Sequence, residues 1–420
     1  MTALEALGKA CATRPGDESD AVGGVVPSYV AEPSTVAEAA ETMRIAAEQG
    51  LSIVPRGART RLGWGAPPTS CDLLIDTTRL DRVLEHAAGD LVVKVEAGLP
   101  MDRLAEVLAA KSQRLAIDTP LAGSTVGGTL ATGAAGPLRL RYGTARDLLI
   151  GVTIVRADGD IAKSGGKVVK NVAGYDLGKL FTGSYGTLGL IVEAAFRLHP
   201  LPAATRYVTA PAADGAAAGK AVQAVLHSSI VPSAIEIDVP PDGPIALGVL
   251  IEGVAESIPD RTAQVLRLIG QEATQSEAAP DWWGRYPGRH GAVPGAGPGP
   301  DLLMRVVAPP AALQHLVDVV RDSAARSGAA IRLRGSAGAG VFDAGLPADT
   351  EPGAAAAAVG LLRSELSVLG GTLVVLAAPE DVRGRVDQWG PAPALPLLRR
   401  VKDQFDPGHR LAPGRFVGGI

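Results

Sequence analysis

Residues 121–146 read LAGSTVGGTLATGAAGPLRLRYGTAR, with glycines at positions 123, 127, 128, 133, 136 and 143 and with no acidic residue or histidine. Such a stretch is not expected to form a packed helix or strand, because glycine and other small residues bury little surface and cost backbone entropy. Its backbone N–H groups can approach a large anion closely, and runs of such donors bind groups like the pyrophosphate of a dinucleotide. A flexible surface linker is the alternative for the stretch taken alone.

Two further turns of small residues lie directly beside predicted strands. Residues 55–60 read PRGART after the strand LSIV, and residues 183–189 read GSYGTLG before the strand LIVEAAF. A turn of this kind points successive N–H groups in one direction, and Arg56 and Arg59 add positive charge that suits phosphate. The chain has no GxxxxGK[ST], and PRGART leads into a loop rather than a helix, which argues against a P-loop and a Rossmann site. We therefore expect the three turns to meet around one nucleotide cofactor.

The composition is that of a globular protein with no nucleic-acid-binding character. The chain has 420 residues, of which 46% are hydrophobic, 20% charged and 4% aromatic, and its net charge is −4. These values favour neither a basic surface for nucleic acid nor a base-stacking platform. The N-terminus does not resemble a signal peptide, and no apolar run approaches the ~20 residues that span a bilayer. We expect a cytoplasmic protein, with a peripheral position at the inner face of the cell membrane, through partners, left open.

Cysteine and histidine usage leaves little room for metal or disulfide chemistry. Cys11 and Cys71 are the only cysteines, and no two of the six histidines lie within five residues of each other. Two separate cysteines cannot hold an iron–sulfur cluster or a structural zinc ion, and they suggest a reducing compartment. The sequence therefore predicts no metal site.

The pattern of helix and strand signals changes after the sequence PLP at positions 200–202. The region before it alternates helices and strands, whereas the region after it is Ala-rich and predicts a small α+β domain whose sheet is covered by helices on one face. Residues 287–300 (PGRHGAVPGAGPGP) predict a long mobile loop in that domain. The predicted parts are an N-terminal segment (1–27), an α/β domain (28–202), an α+β domain (203–395) and a C-terminal tail (396–420).

Local signals fix several elements of the first domain. Thr35 and Glu38 are spaced as the capping box of a helix that stops at Gly50. Residues 148–156 and 189–198 are rich in Val, Ile and Thr, which predicts strands. The sequence KVVKNVAGYD at positions 167–176 is either an ordinary strand-to-helix connection or a functional turn.

The chain resembles the vanillyl-alcohol-oxidase (PCMH-type) family of FAD-binding flavoproteins over residues 28–202 and again in the tail. Within that family it is most similar to the FAD-binding E subunit of bacterial glycolate oxidase. The resemblance implies an α+β fold, in which a PCMH-type domain of two α/β subdomains clasps FAD and a smaller α+β cap domain follows. It rests on VPRGART, AGSTVGGTLATGAAG, RYGTARDLLIGVTIVRADG, GGKVVKNVAGYDLGKLFTGSYGTLGLIVEAAFRLHP and FDPGHRLAPGR.

The same resemblance implies roles for individual residues around FAD. The residues expected at the pyrophosphate are Pro55, Arg56, Gly57, Ala58, Arg59 and Thr60. Those expected along the pyrophosphate and towards the isoalloxazine are Gly123, Ser124, Thr125, Gly127, Gly128, Thr132, Gly133 and Gly136. Those expected near the ribose and adenine are Gly143, Asp147, Gly189 and Ile191, and those near the flavin or its rim are Lys170, Asn171 and Tyr175.

Two departures from the family pattern shape the functional prediction. No histidine or cysteine stands in the turns at 55–60 and 121–136, and Cys71 is read as a small buried filler, so non-covalent FAD is expected. The HxGDGNxH metal and catalytic motif of the family's 2-hydroxy-acid dehydrogenases is missing, so metal-assisted proton abstraction lacks its ligands here. No catalytic residue can be assigned from the sequence.

Three arginines of the second domain remain as candidate substrate contacts. Arginine holds a carboxylate by two parallel hydrogen bonds, and Arg305, Arg332 and Arg334 lie in predicted strands. The spacing of Arg332 and Arg334 puts them on one strand face, and a solvated face is the alternative.

The resemblance implies a subunit of a glycolate dehydrogenase-type complex that oxidises a 2-hydroxy acid, with an electron-relay or assembly role for this chain. Its implied partners are a second FAD subunit with the metal motif and an iron–sulfur subunit. Two alternatives stay open: a self-sufficient FAD-dependent dehydrogenase of hydroxy acids or alcohols, and a structural subunit whose FAD does not turn over.

Overall fold

A four-stranded sheet and two helices form the first subdomain of the computed structural model, which describes residues 2–166, 176–288 and 301–420. Its elements are α1 (Ala3–Ala10), β1 (Ala12–Pro15), β2 (Tyr29–Glu32), α2 (Val36–Glu48), β3 (Ile53–Arg56) and β4 (Leu73–Asp76). The strand order is β1-β2-β4-β3, in which β4 runs parallel to β2 and β3 while β1 is antiparallel to β2.

Helix α2 forms where the sequence predicts it, but its N-terminal capping differs from the predicted capping box in one hydrogen bond. The Thr35 hydroxyl accepts a hydrogen bond from the Glu38 amide (3.1 Å), and Gly50 follows the helix with a left-handed φ of 66°. The Glu38 carboxylate, however, accepts from the Ser34 amide (2.8 Å). Half of the predicted capping box therefore forms, and the other half is displaced by one residue.

A five-stranded antiparallel sheet is the centre of the second subdomain. The strand order is β5-β6-β10-β8-β9, and a separate two-stranded ladder joins β7 to β11. The strands are β5 (Val83–Ala87), β6 (Val92–Glu96), β7 (Gln113–Arg114), β8 (Leu149–Val155), β9 (Ile161–Gly165), β10 (Leu190–Arg197) and β11 (His199–Pro200). The helices are α3 (Met101–Ala109), α4 (Val126–Thr132), α5 (Arg139–Tyr142), α6 (Ala145–Leu148) and α7 (Gly178–Phe181).

The expectation that residues 121–146 form no packed helix is wrong. Helix α4 begins after Thr125, whose hydroxyl accepts from the Gly128 amide (3.2 Å), and it buries Val126, Thr129 and Leu130. A Cβ at Gly127 would lie 2.9 Å from the Ala97 Cβ, so glycine lets this helix touch the neighbouring chain. The small residues thus serve close packing of a helix instead of preventing one.

The cap domain is an eight-stranded antiparallel sheet with four long helices. The strand order is β15-β12-β14-β13-β17-β18-β16-β19. The strands are β12 (Ala204–Ala212), β13 (Ala234–Val239), β14 (Ile245–Gly253), β15 (Thr274–Ser276), β16 (Leu302–Val307), β17 (Arg332–Ser336), β18 (Val341–Leu346) and β19 (Thr372–Ala377). The helices are α8 (Gly215–Leu226), α9 (Ile258–Ile269), α10 (Leu313–Ser327), α11 (Pro352–Val368) and the short α12 (Glu380–Arg383). None of the helices in the described ranges has both the length and the apolar character needed to cross a bilayer.

Alternation along the cap strands separates an apolar face from a polar one. In β13, Ile235, Ile237 and Val239 join the hydrophobic cluster that the long helices share, and Glu236 and Asp238 point to the opposite face. The opposite face meets the second subdomain, where one guanidinium–carboxylate pair joins Arg114 to Glu252 (2.6 and 2.8 Å). The helices therefore cover one face of the sheet, and the other face turns towards the first domain.

The C-terminal tail returns to the first domain. Helix α13 (Leu395–Phe405) is followed by an extended strip in which Ala412 donates to the Ile53 carbonyl (2.7 Å). The Arg415 guanidinium then donates to the carbonyls of Leu62 (2.8 Å) and Trp64 (2.7 Å). The tail thereby fixes the loop that follows β3. Most of the predicted loop at 287–300 (residues 289–300) lies outside the described residues.

Candidate functional site

The three small-residue turns meet in one cleft, which confirms their predicted convergence. The cleft lies between β3, α4 and the turn before β10, and Arg415 of the tail closes one side. Its lining residues are Pro55, Arg56, Gly57, Ala58, Arg59, Thr60, Arg61, Leu62, Thr125, Gly128, Ala131, Thr132, Tyr185, Gly186 and Arg415.

A second cavity continues the cleft along the two subdomains. It adds Thr77, Gly127, Gly189, Leu190 and Ile191 to the lining. The two cavities share Pro55, Arg56, Gly57, Gly128, Ala131 and Gly186. Because they share these residues, we treat them as one groove, called the cofactor groove below.

The turn after β3 supplies free hydrogen-bond donors to this groove. The backbone amides of Gly57, Ala58, Arg59 and Thr60 donate to no acceptor among the described residues. Arg59 has a left-handed φ of 68°, and successive amides around such a residue form a concave nest that binds anions. This geometry fits the pyrophosphate that the sequence predicted here.

The side chains of Arg56 and Arg59 are engaged elsewhere, which corrects the idea that their charges serve phosphate. The Arg56 guanidinium is buried between the carboxylates of Asp20 and Asp76, each at 2.8 Å. The Arg59 guanidinium donates to the carbonyl of Ser19. Both arginines therefore shape the turn, and it is their backbone that lines the groove with donors.

Arg61 is not among the residues predicted from the sequence, yet it lines the cofactor groove with hydrogen-bond donors that no described residue uses. Its side chain is 6% exposed, and Nη1 donates to the Ser124 hydroxyl (3.0 Å). Nε and Nη2 are buried and have no acceptor among the described residues. Burial lowers the pKa of Arg61, since no described carboxylate pairs with it. A buried cation with two spare donors fits an anionic or carbonyl-bearing ligand.

The segment at 121–136 packs closely against the turn after β3 and contributes little to the supply of free backbone amides for a ligand. The amides of Val126 and Gly127 donate to the carbonyls of Leu99 (2.9 Å) and Ala97 (2.7 Å), so they are not available to a ligand. A Cβ at Gly57 would lie 2.3 Å from the Thr125 hydroxyl oxygen, which shows how tightly the two turns are apposed.

Other predicted cofactor residues lie outside the cofactor groove. Gly133 ends α4 in a left-handed conformation, and the Asp147 carboxylate accepts from the Thr144 amide (2.8 Å) beside Gly143. Gly123 is exposed and donates its amide to a carboxylate on α3, and Gly136 lines a different cavity. The predicted flavin-rim residues Lys170, Asn171 and Tyr175 lie outside the described residues.

That different cavity, called the cap cavity below, lies between the polar face of the cap sheet and the second subdomain. Strands β13, β17 and β18 form its roof, and the segment around α5 forms its floor. Its lining residues are Pro120, Ala135, Gly136, Pro137, Arg139, Glu236, Gly284, Arg285, Tyr286, Arg334, Gly335, Ser336, Val341 and Asp343.

Four charged residues cross the roof in a single register row, in the order Asp238, Arg334, Asp343 and Arg305. Within this paired row, Arg334 donates to Asp238 (3.1 Å) and Arg305 to Asp343 (2.8 Å). Arg332 shares Asp238 (2.7 Å), so the prediction that Arg332 and Arg334 lie on one face is confirmed. Of the three arginines expected to contact substrate, Arg334 lines the cap cavity, while Arg305 and Arg332 are not among its lining residues.

The acids of this region are held partly neutral. Burial raises the pKa of Glu236 to about 8, against the opposing charge of Arg139. Burial also raises the pKa of Asp118 to about 7, although the Leu138 amide donates to its carboxylate (3.0 Å). The same burial lowers the pKa of Arg139. No local sequence pattern indicates this cluster, because Glu236 lies 97 positions after Arg139 in the chain.

Sequence comparison identifies the domain around the cofactor groove. The FAD binding domain family matches residues 27–165, which include the first two of the three turns. The chain therefore carries an FAD binding domain. Its cofactor is FAD, and the free amides of the nest together with Arg61 are the groups that would hold the anionic part of it. When bound, FAD supplies a two-electron acceptor that takes hydride equivalents.

Curated relatives of the flavoprotein include enzymes that act on 2-hydroxy acids. Glycolate oxidase subunit GlcD of Bacillus subtilis is 33% identical over 248 residues, which are 59% of this chain and 52% of the relative. D-2-hydroxyglutarate dehydrogenase of Xanthomonas citri is 36% identical over 179 residues, which are 42% of this chain and 38% of the relative. The matched part of the chain thus spans about half the length of the curated relatives or less.

Solved structures show the same fold over nearly the whole flavoprotein. A chitooligosaccharide oxidase superposes with a TM-score of 0.69 at 19% identity, over 97% of this chain and 98% of that one. The fold prediction of a two-part FAD-binding domain with an α+β cap is confirmed. The domain boundaries and the individual site residues stay predictions.

The remaining thiol and metal expectations can be placed in the fold. Cys71 lies in a buried cluster with Val30, Val54 and Leu74, and burial raises its pKa to about 12. It is not among the residues that line the cofactor groove. In the described part of the chain, no three His, Cys, Asp or Glu side chains group as metal ligands would.

Proposed function

We propose that this chain is the FAD-binding subunit of a glycolate-oxidase-type complex that oxidises a small 2-hydroxy acid. The observation that best supports this proposal is that the structure has two neighbouring cavities. One is the cofactor groove with its nest of free amides, and the other is the cap cavity, which is lined by basic side chains. The names of the relatives support the substrate class, since they include a glycolate oxidase subunit and a 2-hydroxy-acid dehydrogenase.

The residues of this chain have distinct tasks in that proposal. The nest at residues 57–60 and Arg61 bind and orient the cofactor, and the cap sheet excludes water from its exposed end. Tyr286 and Trp64 pack edge to face with ring centroids 5.7 Å apart, which seals the cap against the loop after β3. The partners in the proposal are a second FAD subunit and an iron–sulfur subunit, and any membrane contact is made through them.

The test is anaerobic titration of the purified complex with glycolate and with D-lactate. We expect the flavin of this subunit to lose its visible absorbance together with that of the partner. Acid precipitation should release the flavin into the supernatant, because non-covalent FAD dissociates when the protein unfolds. A flavin in this subunit that stays oxidised while the partner is reduced would instead support a structural role and refute turnover here.

A self-sufficient dehydrogenase is the second candidate, favoured by the cap cavity, whose acid and arginines belong to this chain alone. The discriminating measurement is dye reduction by the isolated holoprotein with glycolate or D-lactate. Activity without any partner would support this candidate, and activity that appears only after reconstitution with the other subunits would support the complex.

A further inference from the structure

Among the described residues, Glu236 is the one acid of the cap cavity roof that forms no ion pair. Glu236 lies two residues before Asp238 on β13, so both side chains point to the same face of the sheet. Asp238 belongs to the row of paired charges, whereas Glu236 lies in the next row and is opposite Ser336. Its register neighbours are Ser336 on β17 and Gly248 on β14, neither of which carries charge. Glu236 is 3% exposed, and its Oε1 has no hydrogen-bond partner among the described residues.

Across the cap cavity, Arg139 is a cation without a carboxylate partner. Its guanidinium donates only to backbone carbonyls, those of Ala135 and Gly136, within the described part of the chain. Arg139 and Glu236 both line the cavity, yet they form no ion pair with each other. The space between them is lined further by the hydroxyls of Tyr286 and Ser336, which are buried and lack described partners.

A ligand that completes this cavity has to carry complementary groups. A carboxylate would satisfy the donors of Arg139, because guanidinium and carboxylate match in geometry and charge. A hydroxyl on the adjacent carbon would donate to the free oxygen of Glu236. Leaving the buried Glu236, Tyr286 and Ser336 oxygens unpaired costs free energy, so a molecule bearing both functions is favoured over water or an apolar ligand.

We propose that the cap cavity binds the 2-hydroxy acid with its carboxylate at Arg139 and that Glu236 is the catalytic residue that accepts its hydroxyl proton. This inference rests on the proposed function. In the step, the substrate O–H bond breaks, its proton passes to the Glu236 carboxylate and its electron pair forms the C=O bond, while the Cα–H bond breaks and its hydrogen leaves with the bonding electrons, as hydride, for oxidised FAD. The substrate becomes a 2-oxo acid, having lost two electrons and two hydrogens.

The charges that face Glu236 set the expected pH dependence. They are Arg139 and Asp118 from the floor and Arg334 and Asp343 from the roof, with the Tyr286 hydroxyl beside them. Because burial raises the pKa of Glu236 to about 8, most of the residue is protonated at pH 7. The proton-accepting form therefore grows as pH rises through about 8, and the rate of flavin reduction should rise with it.

The experiment compares wild type, Glu236→Gln and the control Glu256→Gln, which alters an exposed glutamate of the same domain. Each is the full-length holoprotein, in its complex where one forms, and flavin bleaching by glycolate or D-lactate is followed anaerobically between about pH 6 and pH 9. Glu236→Gln should slow bleaching at pH 8 by about 100-fold or more, the usual effect of losing a general base, and should abolish the rise with pH. Glu256→Gln should match wild type.

A second readout, oxalate binding by calorimetry, involves no turnover. Near pH 6 Glu236 is protonated, so wild type and Glu236→Gln should bind oxalate equally. Near pH 9 the ionised carboxylate repels oxalate, so wild type should bind it more weakly than the variant does. Identical binding curves of the two proteins at both pH values would overturn the assignment.

The outcomes also separate this inference from the proposed function. If neither glycolate nor D-lactate reduces the wild-type flavin, the proposed function fails and the role of Glu236 fails with it. If wild type is reduced and Glu236→Gln is reduced equally fast, the role of Glu236 fails while the proposed function stands. Thermal unfolding of each variant shows whether the substitution has disturbed the fold.

Discussion

Replacing Lys402 by methionine should loosen both the fold and the cofactor groove, although the residue lies in the tail helix. The Lys402 ammonium is 1% exposed and donates to the Asp406 carboxylate (2.7 Å) and to the carbonyls of Thr187 and Leu411 (each 2.8 Å). These contacts join α13 to the turn before β10 and to the strip that pairs with β3. One side chain thus connects two of the three walls of the groove.

The magnitude follows from what the substitution leaves behind. Asp406 is fully buried, and its Oδ2 also accepts from the Leu411 amide (2.7 Å). Without the ammonium, a buried carboxylate remains with one backbone donor, and breaking such a pair from one side costs about 3–5 kcal/mol. The double variant Lys402→Met with Asp406→Asn removes the orphaned charge and should recover part of that loss.

The assay is urea unfolding of the holoprotein, with flavin fluorescence on heating as a second probe. We expect the midpoint of unfolding to fall and flavin to be released at a lower temperature in Lys402→Met. The matched control is Lys179→Met, which removes a half-exposed lysine paired with Asp176 at 3.4 Å and should cost less than about 1 kcal/mol. If Lys402→Met costs no more than this control, the buried pair does not fasten the tail, and the reasoning is refuted.

Two other sites give predictions of opposite kinds. Gly57→Ala should abolish FAD binding without unfolding the protein, because the new Cβ would lie 2.3 Å from the Thr125 hydroxyl. The control Gly63→Ala, whose new Cβ would have no atom within 4 Å, should bind FAD normally. The amount of flavin that co-purifies with each protein measures both outcomes. Arg114→Met should leave the buried Glu252 unpaired and lower the stability of the cap by about 3 kcal/mol, measured by denaturant unfolding. Burial alone would raise the pKa of Glu252, but hydrogen bonding to Arg114 leaves that pKa below its ordinary value. The stability that the Arg114–Glu252 pair contributes is therefore present above the pKa of Glu252 in the unfolded chain and is lost as pH falls through its pKa in the folded protein. An Arg114→Met protein that resists acid unfolding as well as wild type would contradict this prediction.

The sequence predicts helices and strands of this fold, and the convergence of the three small-residue turns, because both depend on local chemistry. Residues 148–156 were predicted as a strand and form Leu149–Val155, since Val, Ile and Thr favour a pleated backbone whatever surrounds it. The turns at 55–60 and 183–189 were placed together because small residues beside strands permit close approach.

The charged side chains of the site could not be placed in the same way, because their partners are set by distant parts of the chain. Arg56 is neutralised by Asp20, 36 positions earlier, and by Asp76, 20 positions later, and no local pattern favours these pairings over phosphate. Arg61 stands five residues after Arg56 in the same loop, and its two unpaired nitrogens become visible only when the loop, α4 and the cap enclose them. Which arginine is free is therefore a property of the tertiary structure.

The distribution of charge between the two domains explains why the cap sheet is polar on its buried side. Within the paired row each base has an acid on the neighbouring strand, so that part of the sheet could be buried against any surface. One row further, Glu236 has no such partner among the described residues, and neither does Arg139, the cation that faces it from the first domain. A fold that only needed to close its cap would gain stability by replacing these groups with apolar ones, because unpaired buried charge costs more than hydrophobic packing. Their presence on opposite walls of the cap cavity is accounted for if a bound hydroxy acid completes the pairs that the chain leaves open.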